Sequence, residues 1–154
     1  MNLKELIKNT VNLNFTNQIK HIGNLNSTTI TSLVAAAYEN KNRGPLFVIC
    51  QDSFDAISLK SNLKALLPLE KIFYFSDFET LAYDTIAPHQ DIISSRLEIL
   101  SSLSNLTDGI VITTVSALMH RVCPVEYIKQ NSFAIKKGDR RDIAKMKDDL
   151  VERG

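Results

Sequence analysis

The segment Gly23 to Ile30, GNLNSTTI, stands just before a helix-forming stretch, where a phosphate-binding loop would open an α/β domain. Such a loop follows G-x-x-x-x-G-K-[ST]: backbone N–H groups cradle the phosphates, the lysine neutralises them and the hydroxyl holds magnesium. Gly23 fits the first position, but Thr28 stands at the second glycine, Thr29 at the lysine and Ile30 at the magnesium-holding hydroxyl. The positions that carry the chemistry are lost. The segment therefore reads as a capped helix start that holds no cofactor, and no ATP hydrolysis is expected from it.

Other residues able to do chemistry are scattered. His120 and Cys123 are spaced like two metal ligands, and His89 lies near Asp84 and Asp91. A closed zinc site takes four such ligands, and no second Cys/His pair follows at a matching interval, so no metal site is assigned. No G-x-S-x-G elbow occurs, and the histidines lack a partnered serine or cysteine in a recognisable context. Asp77, Glu79 and Asp84 sit among aromatics without a period that would aim two carboxylates together. Phe73, Tyr74, Phe75, Phe78 and Tyr83 are of a type that stacks on bases, yet those same acids repel phosphates and Lys71 is the one cation close by in sequence. The basic run KKGDRR at 136–141, followed by Lys145 and Lys147, reads first as a solvated helix face. Its functional alternative is a partner surface made by Lys136, Lys137, Arg140 and Arg141.

Elements of an α/β domain must hold these residues. The strand-length runs at 45–50, 71–75 and 109–114 show no alternation of apolar and polar residues, as in strands covered on both faces, and helices separate them; this predicts a parallel sheet flanked by helices with right-handed crossovers. A helix from Thr28 to Asn40, capped by Ser27 or Thr28, is expected to bury Ile30, Leu33, Val34 and Ala37. The next, begun by Asp52 and Asp55, is expected to bury Ala56, Leu59, Leu63 and Leu66 before Pro68. A third at 92–103 carries Ile93, Leu97 and Leu100 on one stripe. The loop before it places Phe78, Leu81, Tyr83 and Ile86 among acids and a proline, so those apolar groups need a cover. Helices follow at 115–122 and 125–130, then a strand at 132–138. A last helix, opened by Asp139 and Asp142, carries Ile143, Met146, Leu150 and Val151. Ahead of all these, 3–8 reads as a short helix, and Val11, Leu13, Phe15, Ile19 and Ile22 are isolated apolar positions. A boundary near Asn131 divides a first domain, 1–131, from the start of a second, 132–154.

Composition agrees with this outline. At 154 residues, 44% apolar and 23% charged, the chain suffices for one well-buried domain and the beginning of another. A net charge of +1 argues against a strongly basic nucleic-acid footprint and against a polybasic membrane anchor. Cys50 and Cys123 are far apart, and the opening MNLKELIKNT has no long apolar core, so a reduced, cytoplasmic protein without a membrane span is expected.

The run DFETLAYDTIAPHQDIISSRL at 77–97 also resembles the signature of the N-terminal module of the bacterial transcription-repair coupling factors (Mfd). A second match is GIVITTVSALMHRVCP at 109–124, and a weaker one is KKGDR at 136–140. That module is in turn similar to the first domains of UvrB, the damage-verifying helicase of nucleotide excision repair. The resemblance implies a P-loop-derived α/β domain with a degenerate nucleotide site, followed by the start of a second α/β domain of the UvrA-binding type. It further implies a parent that is an ATP-driven DNA translocase using ATP and magnesium, meeting RNA polymerase and DNA through other domains and recruiting UvrA. This piece would then be a non-catalytic scaffold packed on the motor domains. The family's main UvrA-contacting positions lie past Gly154, so none is carried over.

Two other readings are distinguishable. A nucleotide-dependent UvrB-type helicase domain needs the lysine absent at Thr29. It also needs the long DNA-clamping hairpin that UvrB-like proteins insert after the aromatic stretch, and the interval 84–91 leaves no room for one. A stand-alone nucleic-acid-binding module would show salt-sensitive binding to single strands.

Overall fold

The three apolar runs form strands β1 (Leu46–Cys50), β2 (Ile72–Phe75) and β3 (Ile110–Thr114) of one parallel sheet, in the order β1-β3-β2. β3 is central, and every residue in it is buried. Leu46 and Ile72 both register with Ile110, and Ile49 and Phe75 both register with Thr113. A computed structural model describes residues 21–41, 44–80, 87–131, 135, 137–140 and 142–152, without the side chains of 149 and 152. The helix expected at 3–8, the positions Val11, Leu13, Phe15 and Ile19, the loop residues Leu81, Tyr83, Asp84 and Ile86, and Lys136 and Arg141 lie outside the described residues. So does most of the strand expected at 132–138, of which Lys137 and Gly138 form a turn.

The chain makes two compact units, Met1–Arg121 and Val122–Gly154. In the first, α1 (Ser27–Asn40) and α2 (Ser53–Leu66) cover one face of the sheet. Ala35, Ala36, Tyr38, Ala56, Leu59, Leu63 and Leu67 pack there with Ile72, Ile110 and Ile112. Each fully buried leucine or isoleucine in such a core contributes about 1.5–3 kcal/mol relative to an exposed one. Strand alternation turns Phe73 and Phe75 to the opposite face. There α3 (Gln90–Leu103) sets Ile99, Leu100 and Leu103 against them, joined by Ala117 of α4 (Val115–Met119). The second unit contains α5 (Val125–Asn131) and α6 (Ile143–Glu152).

Several details depart from the periodicity. In α1 the buried residues are Thr31, Ala35, Ala36 and Tyr38, and Ile30 is exposed. The helix is rotated because two adjacent alanines allow close approach to α2 while Tyr38 reaches down to the polar loops below the sheet. Its cap is Asn26, whose side chain accepts from the Thr29 N–H, rather than Ser27 or Thr28. Asp52 does cap α2, accepting from Asp55 N–H at 2.9 Å, and Leu67, one past the helix, is buried in place of Leu66. In α3 Leu97 is exposed, and the buried positions are Arg96 and Ile99. α4 stops at Met119, where the extended backbone of His120 ends it, short of the expected Val122. Asp142 rather than Asp139 opens α6, accepting from Ala144 N–H at 2.9 Å. Among the described residues β1 is covered on one face, and Phe47 and Ile49 are exposed on the other.

Candidate functional site

Parallel α/β sheets bind ligands beyond the carboxyl ends of their strands, because loops and helix starts converge there. At that end β2 runs into Ser76, Asp77 and Phe78, and β3 runs into α4. Thr114 caps α4, its hydroxyl accepting from Ala117 N–H at 3.2 Å. The Thr114 and Ser116 hydroxyls lie 2.9 Å apart, and Ser116 donates to Asp77 Oδ2 at 2.7 Å. The other Asp77 oxygen accepts from Glu79 N–H at 2.6 Å and helps hold Glu79 at φ 55°. The Ser116 bond, foremost among several causes, keeps the Asp77 carboxyl below the usual carboxylate range.

Arg96 of α3 locks this end. It is 3% exposed, and its guanidinium lies between the rings of Phe75 and Phe78, 4.0 and 4.1 Å from their centroids. It donates to the Ser76 carbonyl. Burial lowers its pKa, with Asp77 opposing. Phe78 in turn meets His120 edge-on, ring centroids 5.0 Å apart. The cover required for the apolar loop residue Phe78 is thus a cation and an imidazole.

Chemically this is a latch. Ser116 donates to one Asp77 oxygen and the Glu79 N–H donates to the other. The hydroxyls and carboxylate oxygens engage one another and the backbone, which fixes the start of the loop after β2. Asp77 and Glu79 are joined through backbone rather than aimed at a common point. Of the aromatics proposed as a stacking platform, Phe73, Tyr74 and Phe75 are turned into the core and Phe78 onto Arg96. Tyr83 lies outside the described residues. Sequence reasoning missed Arg96, Thr114 and Ser116. The available signal for Arg96 was its place between Ile92 and Ile99 at helical spacing, after an aromatic loop.

At the start of α1 the segment from Gly23 to Ile30 is engaged by its own side chains. The Asn26 Oδ1 accepts from Thr29 N–H at 2.8 Å, and the Thr29 hydroxyl accepts from Asn26 N–H at 2.8 Å, a reciprocal capping box. Thr29, at the lysine position, spends its hydroxyl on the helix end. Gly23 has open space around it, Thr28 is exposed, and Ile30 is also exposed.

The remaining candidates stay apart. His89 caps α3, its Nδ1 accepting from Asp91 N–H at 3.3 Å. Cys123 is exposed. Among the described residues no group of three or more His, Cys, Asp or Glu gathers to hold a metal. Lys137 and Arg140 are exposed and precede α6 rather than lying on it, so the reading of that run as one helix face is corrected; Lys145 and Lys147 are on the helix. Among the described residues no helix is long and apolar enough to cross a membrane.

A second polar cluster lies at the opposite, amino end of the strands. Tyr38 donates to Glu70 Oε2 at 2.7 Å and lies 3.1 Å from Asp108 Oδ2, while Lys41 pairs with Asp108 and sits 4.4 Å from the Tyr38 ring centroid. These residues border an open cavity of about 500 Å³. Burial, then the bonds to Glu70 and Asp108, push the phenol well above its usual range. The Lys41 bond leads the causes that hold Asp108 below the carboxylate range. A folded-state value below the unfolded value of about 3.9 gives stability that is present above that pH and lost as pH falls through the lower folded value. Urea unfolding of Asp108→Asn is therefore expected to show a smaller loss of stability below about pH 4 than the unsubstituted chain. Parallel losses would contradict the assignment.

No protein-family model matches the chain. The chain is 40% identical over 123 residues to the transcription-repair-coupling factor of Haemophilus influenzae, covering 80% of this chain and 11% of that protein. It is 36% identical over 119 residues to the one of Escherichia coli, 77% of this chain and 10% of that protein. With the one of Rickettsia bellii it shares 33% over 89 residues, 56% of this chain and 8% of that protein. The chain thus spans about a tenth of the length of the curated relatives it matches.

Proposed function

Because the chain is homologous to a segment of the transcription-repair-coupling factors, we propose that it is a non-catalytic α/β frame acting in the coupling of transcription to nucleotide excision repair. The observation that carries the reading is 40% identity sustained over four-fifths of the chain. The reciprocal Asn26–Thr29 cap supports the non-catalytic part, since it engages the helix-start N–H of Thr29 that a bound phosphate would need.

In this reading 1–131 is the frame and 132–154 begins a second domain whose continuation docks on UvrA. ATP and magnesium belong to the motor of the longer protein, as do the contacts with DNA and RNA polymerase. The frame orients the UvrA-docking domain and packs against the motor in the cytoplasm. Lys136, Lys137, Arg140 and Arg141 are a secondary partner surface.

A pull-down of UvrA with this chain and with a version extended through the second domain tests the assignment. Retention by the longer version alone is expected. Equal retention by both would place the contact within this chain and move the binding role to the basic run.

A further inference from the structure

We propose that Asp108–Gly109 is a site of spontaneous covalent modification, the conversion of aspartate to isoaspartate through a cyclic imide, and that the Lys41 ammonium holds it unreactive while the chain is folded. The sequence contains one Asp-Gly pair and no Asn-Gly pair. The reaction joins the main-chain nitrogen of the following residue to the aspartate side-chain carbon, and a glycine there has no Cβ to shield that nitrogen. The Gly109 N–H donates to Oδ1 of Asp108 at 3.0 Å. The two groups that would react are therefore already in contact.

The step needs water and nothing else. The Gly109 nitrogen attacks Cγ of Asp108 and forms a C–N bond, while a carboxyl oxygen leaves as water with the carboxyl proton and the amide proton. Water then opens the ring: attack at Cγ restores aspartate, and attack at the main-chain carbonyl routes the chain through Cβ as isoaspartate. The departing oxygen must be carried off as water, so the neutral carboxyl reacts and the carboxylate does not.

Two features of the fold oppose it. Lys41 pairs with Oδ1 of Asp108, and its side chain is only 16% exposed. Its ammonium lies 4.4 Å from the Tyr38 ring centroid, so a positioned cation favours the ionised carboxyl. The Asp108 carboxyl is accordingly held below the carboxylate range, the Lys41 bond being the first cause. The Gly109 N–H, for its part, points its hydrogen at Oδ1 and not its nucleophilic face at Cγ. Where the modification does occur, it adds a carbon to the main chain directly before Gly109. The Gly109 carbonyl accepts from Leu46 N–H at 2.9 Å, and the next residue, Ile110, donates to the Lys71 carbonyl at 2.8 Å. Isoaspartate at 108 thus displaces the start of both ladders and removes the carboxyl that meets Lys41 and Tyr38.

Peptide mapping by chromatography and mass spectrometry, after prolonged incubation of the whole chain at neutral pH with and without urea, reads isoaspartate at this position. It is expected to accumulate in urea and to form several-fold more slowly in the folded chain. Lys41→Met keeps the aliphatic stem and removes the ammonium; without urea it should isomerise several-fold faster than the parent, and Lys41→Arg should restore the slow rate. Far-UV circular dichroism confirms that the variants are folded during the assay, and Lys41→Gln, also neutral, takes the place of Lys41→Met if that variant does not fold. Asp108→Glu, whose longer side chain disfavours the ring, should abolish the signal. No isoaspartate in urea, equal rates in the folded and urea-unfolded parent, or a folded neutral variant no faster than the parent would overturn the proposal.

Discussion

Replacing Arg96 by alanine is expected to lower the free energy of unfolding by about 3 kcal/mol, within the range for emptying a large buried side-chain site. Arg96 fills the space between the Phe75 and Phe78 rings and satisfies the Ser76 carbonyl. Truncation removes a desolvated cation–π sandwich, leaves a cavity and orphans a backbone acceptor, and each of these costs stability. Lysine is a poor substitute because a compact ammonium lacks the flat guanidinium that lies between two rings. Arg96→Lys should therefore lose about half as much as the alanine variant, the sandwich being worth about 2 kcal/mol when desolvated. Guanidinium-chloride unfolding checks this through the midpoint at constant slope. An alanine variant as stable as the parent would show that the loop after β2 is not held by this residue.

The second large effect is expected at Gly109, just before the central strand. Its φ of 142° is one that side-chain-bearing residues rarely adopt, and a Cβ there would lie 2.8 Å from the Lys71 carbonyl oxygen. That oxygen cannot yield cheaply, since it accepts from Ile110 N–H at 2.8 Å and starts the β2–β3 ladder. The Gly109 carbonyl simultaneously accepts from Leu46 N–H at 2.9 Å at the start of the β1–β3 ladder. Strain at this one residue thus reaches both ladders. Gly109→Ala is expected to cost about 3 kcal/mol, at the upper end for a residue forced into a sparsely populated backbone region. Gly44→Ala, at φ 79° but with open space around the added Cβ, should cost clearly less, about 1–2 kcal/mol. Thermal unfolding of the pair separates steric clash from backbone preference: equal losses would show that the contact with Lys71 is not what makes Gly109 necessary.

The parallel sheet was legible because β2 and the first three residues of β3 are apolar without alternation, and because Asp52 and Pro68 bracket α2. Helix faces were less legible, for a physical reason visible in α1 and α3. In α1 the face is set by what Ala35 and Ala36 permit and by the polar reach of Tyr38, which hydropathy counts as weak or neutral. In α3 a charged residue lies at the centre of the buried stripe, so any reading that assigns charges to solvent selects Leu97 instead of Arg96. β1 differs in the opposite direction: an unbroken apolar run promised cover on both faces, and Phe47 and Ile49 are more than half exposed among the described residues.

At Thr28, Thr29 and Ile30 the sequence departs from the phosphate-loop pattern at the second glycine, the lysine and the hydroxyl, and the structure places all three at the exposed start of α1. The Asn26–Thr29 cap was not legible, because N-cap preference scarcely separates asparagine from the adjacent serine. The Thr114–Ser116–Asp77 chain joins residues distant in sequence, and no local pattern announces a contact that β3 creates by lying beside β2.

We propose that this α/β frame carries a side-chain cap where a nucleotide-binding domain would grip phosphate. Titrating the chain with a fluorescent ATP analogue and magnesium, followed by competition with unlabelled ATP, tests it most directly. No saturable, competable binding up to millimolar nucleotide is the result expected from Thr28, Thr29 and Ile30. Saturable binding at micromolar nucleotide, displaced by ATP, would contradict it.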